Sequence, residues 1–96
     1  MIVLVNNFTL KGDPETFEKL FAETAKALHG KPGFISHRLV RSNQDPNRYA
    51  NIAVWESEEA LRAATSSEEF RAVAVQLREV ATADPQVFTP VMEHTE

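Results

Sequence analysis

The sequence predicts an α+β domain in the order β-α-β-β-α-β, with an antiparallel four-stranded sheet and its helices on one side. Two observations predict it. Four stretches rich in β-branched and apolar residues alternate with segments whose apolar residues recur at helical spacing. The second and third of those stretches flank a short turn cluster, as the strands of a hairpin do.

The first strand is Ile2–Leu10, IVLVNNFTL. Lys11-Gly12 turns the chain, Asp13 suits an N-cap, and Pro14 suits the first helical position. Phe17, Leu20, Phe21, Thr24 and Leu28 then form one buried stripe, and Gly30 and Pro32 end that helix. Phe34–Arg41 is the second strand, residues 42–47 are the turn, and Tyr49–Glu56 is the third strand. Ser57 caps a short helix. Ser66 with Glu69 fits a capping box that starts another, with Phe70, Val73, Leu77 and Val80 as its apolar face. Asp84-Pro85 breaks that helix and Gln86–Met92 is the last strand, where Pro90 marks an edge or a bulge. The order is that of two split βαβ units, the ferredoxin-like arrangement, and right-handed crossovers put strands one and three in the middle.

With 96 residues the chain makes one domain, residues 1–96, and a domain of this size buries only roughly 60–65% of its unfolded surface. Its strands are apolar on both faces: Val3 and Val5 oppose Ile2, Leu4, Phe8 and Leu10, while Ala50, Ile52 and Val54 oppose Ala53 and Trp55. Two helices cover only one face, so the other is expected to be covered by a second copy, closing a dimeric α+β barrel.

Net charge is −4 and the ten Lys and Arg are scattered, which argues against nucleic acid as a partner. No cysteine is present, so disulfides, thiolate metal sites and a cysteine nucleophile are excluded. The apolar start MIVLVNN is too short for a signal core or a membrane span, and the cytoplasm is the expected location. The three glycines form no phosphate-cradling loop, and His29, His37 and His94 make no helical ligand pair. No serine sits in a nucleophile-elbow context.

Against that background a few polar groups are out of place. Asn6 stands between Leu4 and Phe8 on an otherwise apolar strand face, and Asn51 and Trp55, four apart, share a face with the small Ala53 between them. On neighbouring antiparallel strands, Asn6 and Asn51 would meet under the helices, in an apolar pocket with amides and an indole N–H pointing inward. Plainer readings stand beside these: Trp55 as core packing, Asn51 as a hydrogen-bonding brace, Arg71 as a solvated arginine. His37 reads as a proton acceptor or as an interface residue, and Asn7 has the wrong strand parity to join Asn6.

The strings V-N-N-F-T-L, P-G-F with H-R-L-V-R, and Y-A-N-I-A-V-W-E-S resemble the antibiotic-biosynthesis monooxygenase family over nearly the whole chain. The resemblance implies a homodimer that oxidises an anthrone- or naphthacenone-type aromatic polyketide to a quinone, with molecular oxygen as co-substrate and neither metal nor flavin. It implies that Asn51 hydrogen-bonds the substrate carbonyl as it becomes an enolate, that Trp55 packs on the polycycle, and that Asn6 completes the catalytic set. The resemblance puts Arg71 near phenolate oxygens, and Arg71, Phe8, Tyr49 and His37 are the expected substrate-binding set. Some anthrone oxygenases of the family carry a tyrosine on the short helix where this chain has Leu61, so a tyrosine-dependent proton transfer is not expected. The haem-degrading branch needs a histidine on the last helix, where Phe70–Gln76 has none. Cyclisation or another proton transfer without oxygen, and a ligand-binding or stress-associated dimer without turnover, are the alternatives.

Overall fold

The computed structural model describes residues 1–96. The elements run β1 (Ile2–Leu10), α1 (Pro14–Leu28), β2 (Phe34–Arg41), β3 (Arg48–Trp55), α2 (Glu58–Thr65), α3 (Glu68–Val80) and β4 (Ala81–Phe88). All strand pairs are antiparallel and the order is β2-β3-β1-β4, so β1 and β3 are central as the crossover argument requires. The helices form one layer over one sheet face, and the molecule is a slab measuring 35 × 34 × 19 Å.

Local chemistry sets the helix ends. The Asp13 side chain accepts from the Thr16 N–H with Pro14 behind it, and the Ser57 side chain accepts from the Ala60 N–H. The third helix starts one residue later than the capping-box pattern implies. Ser67 is its N-cap, accepting from the Phe70 N–H, because Ser66 is used to close α2.

The last strand also differs from expectation. It begins at Ala81, directly after α3, and runs through Asp84-Pro85 rather than starting beyond it; Pro90 lies past its end. An edge strand tolerates this, because one of its sides has no ladder to break and a missing N–H there costs little. Pro85 pairs with Asn6 and Asp84 with Asn7.

The sheet face under the helices holds two packed clusters. Phe8, Leu10, Phe17, Phe21 and Tyr49, with Ala25, Leu77 and Ala81, form the first, with Phe8 and Phe17 edge to face at 5.2 Å between ring centroids. Ala53, Trp55, Leu61 and Ala64 form the second, with Trp55 edge to face on Phe34 at 5.3 Å. Gly33, in the left-handed region at φ 88°, brings the start of β2 against α2, and a Cβ there would lie 2.5 Å from the Ala60 Cβ. The opposite sheet face has no helix. Val40, Ile52 and Phe88 remain 37%, 38% and 45% exposed, so the apolar second face read from the strands is present and open within one chain.

Candidate active site

Register determines what the covered face presents. Asn6 on β1 pairs with Asn51 on β3 and with Pro85 on β4, so one row across the sheet carries two amides at the same level. Between this row and the helices lies a cavity of about 430 Å³, within the range of small-molecule sites. Its floor includes Asn6, Phe8 and Asn51, and its roof includes Phe21 and Thr24 of α1, Leu61 and Thr65 of α2, and Phe70, Leu77 and Arg78 of α3. The hydroxyls of Thr24 and Thr65 donate to their own helices, to Leu20 O at 2.9 Å and Leu61 O at 3.0 Å, so only oxygen lone pairs remain for a ligand.

Three buried side-chain atoms lack a hydrogen-bond partner: Asn6 Oδ1, Asn51 Oδ1 and His37 Nδ1. Buried polar groups are nearly always paired with protein or ordered water, so the lack of a protein partner singles out these three side chains. All three lie on the helix-covered face of successive strands, and two of them line the cavity. Arg78 is the sole ionisable residue in the lining, which otherwise holds apolar side chains, the two amides and the two threonines.

Of the seven residues singled out from the sequence, Asn6, Phe8 and Asn51 line the cavity. Trp55 does not. It shares a face with Asn51, but it is only 1% exposed, and α2 seats Leu61 and Ala64 against it, closing the sheet at that end. Tyr49 lies under α1, tilted against Phe17 at 4.8 Å, with its hydroxyl donating to Glu18 and the Arg41 guanidinium over its ring at 5.4 Å. Burial first, and then Glu18, push the Tyr49 phenol above its ordinary value of 10.0.

His37 faces the helices, not the open sheet face, and stacks obliquely on His29 at 5.2 Å without lining the cavity. Burial holds its imidazole below the ordinary 6.5, His29 adds to that, and Asn51 acts in the opposite direction. Arg71 is exposed, and the arginine at the cavity is Arg78, two turns further along α3. The sequence favours Arg78 no more than Arg71, because each directly follows an apolar-face residue, Leu77 and Phe70 respectively. Thr24 was legible as a hydroxyl inside an apolar stripe.

A largely apolar chamber lined by two amides and a single cation, in a small α+β protein, is chemically suited to a polarised carbonyl or an organic anion. The antibiotic biosynthesis monooxygenase family model matches residues 1–76, and the chain belongs to that family. It is 40% identical over 88 residues to a deoxynogalonate monooxygenase from Streptomyces nogalater, covering 92% of this chain and 75% of the relative. The crystal structure of SnoaB, a cofactor-independent oxygenase from Streptomyces nogalater, superposes with a TM-score of 0.94 at 38% identity, covering 99% of this chain and 97% of that one. A mycobilin-producing haem oxygenase from Mycobacterium tuberculosis is 41% identical over 46 residues, which is 48% of this chain and 44% of the relative.

Proposed function

We propose that the chain is a cofactor-independent monooxygenase that converts an anthrone- or naphthacenone-type substrate to a quinone in the cavity between sheet and helices. The observation that carries this reading is the pair of register-matched amide residues lining an otherwise apolar chamber. The likeness to a deoxynogalonate monooxygenase and to a cofactor-independent oxygenase supports it.

The substrate's acidic CH₂, flanked by aromatic rings, loses a proton to give a delocalised carbanion whose charge resides largely on the carbonyl oxygen. Asn51 Nδ2–H donates to that oxygen as charge develops, and Asn6, at the same level on β1, places a second amide beside the polycycle. Arg78 adds a positive field over phenolate or enolate oxygens. The carbanion supplies the electrons. Dioxygen adds at carbon, one oxygen stays as the new carbonyl and the other leaves as water, so CH₂ plus O₂ gives C=O plus H₂O with no external reductant. Phe8 packs against the polycycle, and Trp55 holds the Leu61 wall. Tyr49 and His37 serve from behind the lining.

A second copy of the chain covers the open sheet face in this reading, giving a homodimer in the cytoplasm. The half-exposed Ile52, Val40 and Phe88 are the residues that such a contact would bury. Oxygen uptake with a model anthrone is the test. Wild type should consume one O₂ per quinone formed, and Asn51→Ala should slow turnover about a hundredfold. Product appearing in the absence of oxygen would identify a cyclase, and tight binding without product would identify a carrier.

A further inference from the structure

The orphaned nitrogen of His37 has a counterpart one strand away. His37 on β2 pairs with Ala53 of β3, while Asn51 pairs with Leu39, so His37 and Asn51 are diagonal neighbours on the covered face. Diagonal positions are within reach of side chains as long as an imidazole and a carboxamide. His37 Nδ1 and Asn51 Oδ1 are both buried, both without a partner, and they belong to these two neighbouring side chains. One N–H···O bond between them would satisfy both.

We infer that His37 is a positioning residue for Asn51: its Nδ1–H donates to Asn51 Oδ1 and thereby turns the amide's Nδ2 hydrogens into the cavity. The inference rests on the oxygenase reading for its purpose, since a developing enolate needs a donor and not a carbonyl in front of it. Its geometry rests on the two orphaned atoms alone. Asn51 raises the proton affinity of His37 against burial and His29, which is the direction a carbonyl accepting from a ring N–H produces. The opposite tautomer, with Nδ1 accepting from Nδ2, would leave the Asn51 oxygen facing the substrate. Phe21, His29 and Phe34 surround the ring, with centroids at 6.0, 5.2 and 6.1 Å, and so limit its rotation. His37 itself does not line the cavity, so it acts through Asn51.

Proton–nitrogen NMR of the full chain at neutral pH reads the tautomer without any turnover. Wild type is expected to carry the His37 proton on Nδ1, and Asn51→Ala to return it to Nε2. A wild-type Nε2–H tautomer, or an Nδ1–H that ignores the loss of Asn51, overturns the inference. In oxygen uptake with a model anthrone, His37→Leu should lose about tenfold in kcat with little change in KM. His37→Asn, whose amide nitrogen takes the place of Nδ1, should restore most of that loss, whereas His37→Gln, which reaches the Nε2 position, should not. Equal activity of the Asn and Gln variants overturns the inference even if the leucine variant fails to fold. A wild type that shows the expected tautomer but no oxygen uptake overturns the oxygenase reading and leaves the hydrogen bond standing.

Discussion

Asn6 offers a direct way to separate chemistry from bracing. It lies between Leu4 and Phe8 on the covered face of a central strand, and its Oδ1 is buried with nothing to accept from. A carbonyl left in that condition costs roughly 1–3 kcal/mol. Leucine keeps the same branched skeleton with bulkier methyl ends, for which the adjoining cavity leaves room, carries no polar group, and continues the apolar row of β1. Asn6→Leu is therefore expected to stabilise the fold by about 1 kcal/mol, the low end of that range, because the side chain also borders the cavity. In a domain of this size that corresponds to a Tm higher by about 4–8 °C. The same change deletes one of the two amides that line the cavity, so under the proposed function kcat for oxygen uptake should fall about a hundredfold. Thermal unfolding must be compared at equal protein concentration, because association makes Tm concentration-dependent. A leucine variant melting several degrees lower would make Asn6 a structural brace, and one with unchanged turnover would remove it from the site. Either result rules out an unpaired amide that serves turnover at this position.

Other perturbations test separate links. Arg78→Gln should raise KM for a phenolic anthrone by roughly tenfold while leaving Tm within about 2 °C, since Arg78 borders the cavity and its residue surface is largely exposed. Trp55→Phe should destabilise by about 1–2 kcal/mol through the void left in the second cluster, read as a lowered urea midpoint at constant slope. Gly33→Ala should cost about 2 kcal/mol or more, because the φ of 88° and the 2.5 Å approach to Ala60 both oppose a Cβ. The pH dependence follows from His37, whose folded pKa lies below 6.5. Below that value the unfolded chain binds the proton more readily, so stability should fall as pH drops from 6.5 toward the folded pKa and then level off. In His37→Leu that segment of the pH–stability curve should be absent.

Much of the site was readable from strand parity. A period of two puts Asn6 and Asn51 on the apolar faces of β1 and β3, and central antiparallel placement makes them neighbours, which the register bears out. Parity says which face a residue occupies but not how far the cavity extends along it. Trp55 shares the face of Asn51, yet the short α2 crosses there and packs Leu61 and Ala64 against the indole, a tertiary fact without local signature. The choice between the two arginines of α3 has a related basis. Residues seven apart on a helix share a face, so α3 offers Arg71 and Arg78 almost equivalently, and only the depth of the cavity along the helix selects the second. Asp84-Pro85 reads as a breaker in sequence, yet β4 runs through it from Ala81 because an edge strand tolerates a proline.

The composition of the lining bears on how a proton leaves the substrate. No carboxylate, phenol or imidazole borders the cavity; its one ionisable group is the Arg78 cation, and Leu61 occupies the position where the family resemblance offers a tyrosine. A wall without a base cannot accelerate deprotonation by general-base catalysis of the usual kind. It can lower the free energy of the anion, through Asn51 donating to the enolate oxygen and Arg78 biasing the field, and leave proton acceptance to water at the cavity mouth. That division predicts a turnover that rises with pH according to the acidity of the bound substrate, not of any side chain. Substrates with more acidic CH₂ groups should shift the rise to lower pH in parallel with their own pKa, as measured by oxygen uptake across a substituted anthrone series. A pH profile that stays fixed across that series would instead reveal a protein base, and the anion-stabilising account would have to be abandoned.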